Sequence, residues 1–191
     1  MTDTDTAYEH VAQLLDRCAA DRAAGSHDTW GQACIAIDHP QDPKNIGSAL
    51  RAAGCFGVSL IAIAGAHYRK ASTDVGHQYR RTPLLEVDDL RLTVPYHFVP
   101  VAVELVEDAV PLPEYEHPEL AYYVFGGEHM TLGRRTLSWC RDTIYIPTRA
   151  SLNLAACINV VLYDRLTKCS RGQQAWLAPK PGRGKDIPPS D

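Results

Sequence analysis

The sequence DHPQDPKNIGSALRAAGCFGV, residues 38–58, carries the strongest indication of how this chain folds. It follows an apolar run, 33–37, that predicts a buried strand, and residues 46–56 predict a helix that ends at Gly57. A second strand is predicted over 58–64, so a strand, a helix and a strand follow one another. That order is typical of a parallel sheet, in which ligands bind beyond the carboxyl ends of the strands.

Two later stretches repeat this arrangement of polar or glycine residues directly after an apolar strand. They read YYVFGGEHMTLG, residues 122–133, and IYIPTRASLNLAACINVVLYDRL, residues 144–166. Strands are predicted over 97–103, 122–125 and 143–146, and a long, largely apolar helix, buried on several faces, over 152–168. The chain is therefore predicted to be an α/β protein with a mostly parallel sheet and a ligand held at the strand ends.

The ends of the chain differ in composition from its centre. Residues 6–24 have the spacing of an amphipathic helix, which predicts an N-terminal helical extension over 1–25. Residues 30–170 are predicted to form one catalytic domain, and 171–191 a flexible, basic tail rich in proline and glycine. The acidic N-terminus lacks an apolar signal segment, and no run is long enough to span a membrane, so a cytoplasmic protein is expected.

Charge is unevenly distributed, although the formal net charge is only −4. Residues 86–119 contain nine acidic side chains and one arginine, whereas residues 134–185 contain ten basic and two acidic side chains. Such segments are often simply solvated faces, but separation this strong is also compatible with a polyanionic substrate. The six cysteines form no CxxC pair, which favours reduced, buried thiols over a zinc or disulfide framework.

Polar candidates for a functional site follow the predicted strands 33–37 and 122–125. Asn45 and Arg51 enter the first helix more than one turn apart, but their polar ends could still converge on one group beyond the strand end. The alternative is that Asn45 caps the helix and Arg51 is an ordinary exposed side chain. Gly126 and Gly127 permit close approach of a ligand to the backbone, and Glu128 follows them at the mouth of the sheet. Glu128 alternatively complements the N-terminus of a following helix.

The third stretch places Ser151 and Asn153 at the start of the long helix. Ser151 is predicted to be the N-cap. Asn153 lies at the start of an apolar helix, and its amide, if buried, needs partners that a ligand could supply. Other chemistries lack their motifs, since no GxGxxG, Walker A, HExxH or GxSxG pattern is present. No metal site is predicted.

Taken in order, the three stretches resemble the SpoU–TrmH branch of the SPOUT RNA methyltransferases. The match consists of an NxGxxxR pattern, a GxE pattern, and an IP pair followed by SLN, within residues 33–169. The resemblance implies an α/β fold with helices on both faces and a C-terminal trefoil knot, a homodimer, and S-adenosylmethionine bound in the knot. The residues that carry the match are Asn45, Gly47, Arg51, Gly126, Glu128, Ile146, Pro147, Ser151, Leu152 and Asn153.

The resemblance also implies the reaction, which is methylation of a ribose 2′-hydroxyl of RNA. Arg51 is then expected to activate or orient that hydroxyl, although a guanidinium with its high pKa is an awkward base. The other motif residues are expected either to position the substrate or to bind the cofactor. The ribose and the knot loops are expected to be positioned by Asn45, Glu128 and Asn153, and the cofactor to be held by Gly126, Ile146, Ser151 and Leu152.

The short N-terminal extension resembles the flank of tRNA-modifying members, so tRNA is expected as the substrate over rRNA. The sequence departs from the family pattern at two places, the motif over 126–133 and the loop after Pro147, where only residues 148–150 precede Ser151. Two alternatives therefore stay open. One is a methyltransferase of the same fold that acts on a base or a small molecule, and the other is a catalytically silent RNA-binding module.

Overall fold

The structure is a computed structural model that describes residues 31–68, 73–74, 77–128 and 131–169 of the 191-residue chain. The N-terminal helix predicted over 1–25 and the tail predicted over 171–191 lie outside the described residues. The remaining predictions can be compared with the structure directly.

The described residues form a seven-stranded sheet in which every strand pairs in parallel with its neighbours. The strand order is β3-β2-β1-β6-β4-β7-β5. All five predicted strands are confirmed to within two residues at each end. The strands are β1 (Gln32–Asp38), β2 (Leu60–Ala64), β3 (Leu84–Val87), β4 (Val99–Val103), β5 (Val110–Pro111), β6 (Leu120–Gly126) and β7 (Asp142–Tyr145).

Three α-helices and three short 3₁₀ turns connect the strands of the described region. The α-helices are α1 (Pro43–Phe56), α2 (Arg134–Leu137) and α3 (Leu154–Cys169), and the 3₁₀ turns are Gln78–Arg80, Leu90–Thr93 and Leu112–Glu114. Helix α1 ends at Gly57 as predicted, where φ is 67°. It begins three residues earlier than predicted, because Asp42 caps it and Pro43 suits the first helical position.

The two faces of the sheet differ because large and small side chains alternate along the central strands. Ile35 and Ile37 of β1 point to the face covered by α1 and α3, while Cys34 and Ala36 point to the other. The second face is covered by the turn at 90–93 and by residues near α2. The predicted α/β architecture with helices on both faces is confirmed, and the trefoil knot stays a prediction.

Helix α3 is anchored at its C-terminal half by polar contacts with the segment before β6. The buried guanidinium of Arg165 donates to the carbonyls of Pro118 at 2.6 Å and Glu119 at 2.8 Å. Asp164 bonds the buried ring of His117 at 2.8 Å. The helix was expected to be buried on several faces, but one face is solvent-exposed and carries Val160 and Tyr163.

The predicted burial of the thiols is only partly correct. Among the five cysteines that the structure describes, all free, Cys34 is buried, Cys55 on α1 is exposed and the others are intermediate. Within the described ranges, no group of three or more histidine, cysteine or acidic side chains is arranged to hold a metal ion. In the same part of the chain, no helix has the length and apolar character needed to cross a membrane.

Candidate functional site

Three polar residues from three separate motifs meet beyond the carboxyl ends of β1 and β6. Nδ2 of Asn45 donates to Oε1 of Glu128 at 2.5 Å, and Nδ2 of Asn153 donates to Oδ1 of Asn45 at 3.0 Å. Asn45 is buried and stands between the other two. The three side chains therefore form one hydrogen-bonded cluster at this edge of the sheet.

Glu128 holds the loop between β1 and α1 in place. Besides the bond from Asn45, its carboxylate accepts the backbone N–H of Gln41 at 2.8 Å and of Asp42 at 3.1 Å. Burial by itself raises the pKa of Glu128, but the hydrogen bonds from Asn45 and from backbone amides outweigh it and the pKa is lowered. The side chain is an ionised anchor with three donors directed at it.

Asn153 is the N-cap of α3. Its Oδ1 accepts the N–H of Ala155 at 2.9 Å, and its carbonyl accepts the N–H of Cys157 at 2.9 Å. The prediction that Ser151 caps this helix is wrong, because the helix begins at Leu154 and Ser151 lies exposed before the cap. The alternative that Asn45 caps α1 is also wrong, since the Asp42 side chain takes that role.

The two glycines after β6 allow one backbone segment to lie against another. Gly126 pairs in register with Asp38, and a Cβ on Gly127 would lie 2.2 Å from the carbonyl oxygen of His39. Only glycine fits at position 127 without moving the loop after β1. In this structure the glycines bring two loops of the protein together, and the close approach of a ligand stays a prediction.

Arg51 is not part of the hydrogen-bonded cluster. It lies on the exposed side of α1 with Lys44 and makes no hydrogen bond or ion pair with any described residue. The six-residue spacing between Asn45 and Arg51 places their side chains about 120° apart around the helix axis. The sequence therefore identified the helix correctly but not the direction of this side chain.

The loop from Ile146 to Asn153 offers groups suited to a nucleotide-like cofactor. The backbone N–H groups of residues 148–152 donate no hydrogen bond to any described residue, so they are available to a ligand. Ile146 is half-buried against the core, Leu152 is 38% exposed, and Ser151 is exposed. Apolar side chains beside free backbone donors fit an adenine ring and its polar edge.

Sequence reasoning missed the residues that connect these motifs. Asp42 was detectable, because an aspartate followed by proline is a common start of a helix. The amide of Gln41 carries no sequence signal, since any residue except proline presents the same N–H group.

Comparison with known protein families shows the family to which this chain belongs. Residues 32–163 match the SpoU rRNA Methylase family. The chain belongs to that family. The matched range contains all the motif residues described above, including the cluster of Asn45, Glu128 and Asn153.

Individual members of the SpoU family are similar over much of the chain. The 23S rRNA (guanosine-2′-O-)-methyltransferase RlmB of Acinetobacter baylyi is 28% identical over 144 residues, which is 68% of this chain and 57% of that protein. The chain thus spans little more than half of this relative.

Solved structures of the same family share the fold. The SpoU methyltransferase AviRb of Streptomyces viridochromogenes superposes with a TM-score of 0.65 and 22% identity, covering 74% of this chain and 61% of that one. The TrmH/SpoU tRNA modifying enzyme of A. aeolicus gives a TM-score of 0.67 and 16% identity, covering 80% and 82%.

Proposed function

We propose that this chain is an S-adenosylmethionine-dependent methyltransferase that methylates a ribose 2′-hydroxyl of RNA. The observation that carries the proposal is the cluster of Asn45, Glu128 and Asn153, which joins three family motifs at the carboxyl edge of a parallel sheet. Ligands of such sheets bind at this edge. The similarity to a guanosine-2′-O-methyltransferase and the AviRb structure with bound AdoMet support the same reaction and cofactor.

Some residues at the sheet edge are proposed to bind the cofactor, and others to fix the loops around it. The backbone at Gly126 and at residues 146–152, with the side chains of Ile146 and Leu152, would hold the cofactor. When bound, S-adenosylmethionine supplies an electrophilic methyl group on a sulfonium centre. Asn45, Glu128 and Asn153 fix the loops on both sides of that site, so their role is to position it.

Arg51 is proposed to bind the RNA beside the methylated ribose. A guanidinium donates up to five hydrogen bonds in a planar fork that matches a phosphate group. Its exposure leaves the guanidinium free to reach the substrate. Arg51 and four further cations form no ion pair with any described residue, so their charges are available to a polyanion. The four are Lys44, Arg80, Arg81 and Arg149.

We further propose tRNA as the substrate and a homodimer as the acting form, in the cytoplasm. The tRNA proposal is supported by the TrmH/SpoU tRNA modifying enzyme, of which the chain covers 82%. The dimer is supported by apolar side chains exposed on and beside α3, namely Leu152 (38%), Val160 (38%) and Tyr163 (60%). The sedimentation coefficient of the purified chain tests the dimer.

Two measurements test the reaction itself. Calorimetry with S-adenosylmethionine measures cofactor binding, and an absence of binding would favour a silent RNA-binding module. Mass spectrometry of nucleosides from RNA incubated with enzyme and cofactor then locates the methyl group. A 2′-O-methyl nucleoside in the tRNA fraction is the expected result. A methylated base contradicts the proposed reaction, and a product confined to rRNA contradicts the proposed substrate.

A further inference from the structure

Strand β4 ends between the two segments that are proposed to bind the cofactor. In the sheet, β4 lies between β6 and β7, and its last residue pairs with one residue of each neighbour. Glu104 follows directly, and its backbone N–H continues the pairing with a 2.9 Å bond to the carbonyl of Ile144. Glu104 therefore lies beside Gly126, at the edge from which residues 146–152 leave β7.

Both oxygens of the Glu104 side chain accept backbone N–H groups. Oε1 accepts from Leu105, the next residue, at 2.8 Å, and Oε2 accepts from Leu132 at 2.7 Å. The second bond crosses from the end of β4 to the loop after β6, 28 residues later in the chain. Leu132 is only 3% exposed, and its side chain packs in the core of the second face. Its N–H group is therefore held at a fixed place beside β4.

The loop after β6 is consequently fixed at both of its described ends. At its start, the Glu128 carboxylate accepts the N–H groups of Gln41 and Asp42 in the loop before α1. At its end, Glu104 accepts the N–H group of Leu132. Neither carboxylate forms an ion pair with a described residue. Each instead makes charge-assisted bonds to backbone donors, which are stronger than bonds between neutral groups.

The Glu104 carboxylate also lies near the first turn of α3. Burial raises the pKa of the Cys157 thiol, and the negative charge of Glu104 raises it further. That thiol is 3.7 Å from the carbonyl oxygen of Leu152, in the segment that is proposed to bind the cofactor. Glu104 therefore has the loop after β6 on one side and the start of α3 on the other.

We propose that Glu104 is a positioning residue of the cofactor site, which keeps the loop after β6 at a fixed distance from residues 146–152. The inference rests on the proposed S-adenosylmethionine-dependent function. A site whose walls are already in place binds its ligand without the cost of ordering them. Because Glu104 acts through Leu132, its contribution is to the affinity for the cofactor and not to the methyl transfer itself.

Glu104→Gln tests this role, because an amide keeps the shape of the side chain but has a single acceptor oxygen. Loss of one charge-assisted bond should raise the Kd for S-adenosylmethionine by about tenfold, measured by calorimetry. The value of kcat at saturating cofactor should stay at that of the wild type, since only binding is affected.

Glu107→Gln is the matched control for this variant. Glu107 belongs to the same segment after β4, is exposed, and makes no hydrogen bond or ion pair with any described residue. Its replacement removes the same charge and should leave the Kd for S-adenosylmethionine unchanged. A wild-type Kd in Glu104→Gln, or an equal rise in Glu107→Gln, would overturn the assignment.

Hydrogen exchange tests the same bond in the wild-type protein. If the cofactor binds only while Leu132 is held, S-adenosylmethionine at about 100 times its Kd should slow exchange of the Leu132 amide by up to about 100-fold. The amide of Arg81, which bonds the Gln78 carbonyl outside the site, should keep its rate. An unchanged rate at Leu132 would overturn the assignment.

Exchange in Glu104→Gln without cofactor measures the loop alone. The Leu132 amide should exchange about tenfold faster than in the wild type, because its acceptor is weakened or lost. The amide at position 104 should stay protected, since its bond to the Ile144 carbonyl does not involve the side chain. A wild-type rate at Leu132 would contradict the role of the carboxylate.

The outcomes separate this inference from the proposed function. Wild-type protein that binds no S-adenosylmethionine overturns both. Cofactor binding and RNA methylation that are insensitive to Glu104→Gln overturn the role of Glu104 alone. Glu104→Gln protein that unfolds at a lower temperature but keeps the wild-type Kd also overturns it, because the carboxylate would then serve only the stability of the fold.

Discussion

The side-chain oxygen of Asn45 accepts a 3.0 Å hydrogen bond from Nδ2 of Asn153, 108 positions later in the chain. The same Asn45 amide donates to Glu128 at 2.5 Å. Because Asn153 also caps α3, a single buried amide connects the start of α1, the loop after β6 and the start of α3. The loops that face the proposed cofactor are held relative to one another by this residue.

Asn45→Ala should lower the free energy of unfolding by about 1–3 kcal/mol, because Glu128 and Asn153 each lose their hydrogen bond to the buried Asn45 amide. In urea denaturation, the Asn45→Ala/Asn153→Ala pair should show a coupling energy on the order of 1 kcal/mol. Ser48→Ala is the control, since its hydroxyl bonds only the Lys44 carbonyl within α1. Additive single-mutant effects at 45 and 153 would contradict the coupling.

The residues of this cluster were predictable, but their hydrogen bonds were not. Asn45, Glu128 and Asn153 could be identified because each is a polar residue that follows a predicted strand, and the carboxyl ends of parallel strands lie at one edge of the sheet. The pairing itself depends on how α1 and α3 pack, which no local pattern encodes. The same limit explains Arg51, whose direction follows from the rotation of α1 about its axis.

Strands β3 and β5 were missed for a different reason. The strand Leu84–Val87 follows Pro83 and lies at one edge of the sheet, and β5 has only two residues, one of them Pro111. Neither is long enough to show a hydrophobic period. Their place in the sheet is set by neighbouring strands, β2 and β7, so tertiary pairing decides what the local sequence leaves undefined.

Gly127→Ala should destabilise the protein by about 1–3 kcal/mol, because the added methyl group would meet backbone atoms of residues 38 and 39 that cannot rotate away. Gly133→Ala is a matched control after the same strand, since nothing lies within 4 Å of the Cβ it would add. Thermal unfolding of both variants measures the difference. Equal melting temperatures for the two variants would show that the loop after β1 moves freely.

Glu128→Gln should make stability less dependent on pH in the acidic range. The pKa of Glu128 in the folded protein lies below its ordinary value of 4.5, so its contribution is complete above that value. The contribution is lost as pH falls through the lower, folded-state pKa. The difference in unfolding free energy between wild type and Glu128→Gln should therefore be largest near neutral pH. A difference that stays constant down to pH ~3 would contradict the ionised anchor.

The buried histidine beside α3 should produce an acid-sensitive stability of its own. Burial lowers the pKa of His117 to about 4, although its bond to Asp164 acts in the opposite direction. Because the folded pKa lies below the unfolded value of 6.5, protonation favours unfolding, and stability is lost as pH falls below 6.5.

His117→Gln tests this by removing the titrating group while keeping a side chain that can bond Tyr123 and Asp164. Between pH ~7 and pH ~5, the wild type should lose about 2 kcal/mol more stability than the variant, measured by urea denaturation at each pH. Parallel losses in the two proteins would mean that His117 is protonated in the folded state.

Arg51→Ala should abolish most RNA methylation without affecting the fold. The side chain makes no bond to any described residue, so the free energy of unfolding should change by no more than about 0.5 kcal/mol. Loss of a phosphate contact should reduce the slope of log Kd for RNA against log salt concentration by about one. It should also lower kcat by about 10²-fold through poorer alignment of the ribose, with the Kd for S-adenosylmethionine unchanged.

Arg91→Ala is the control for this prediction. Arg91 is exposed, forms no ion pair with any described residue and lies on the opposite face of the sheet. Its replacement should leave both kcat and the Kd for RNA at wild-type values. Full activity in Arg51→Ala would exclude the arginine from the reaction.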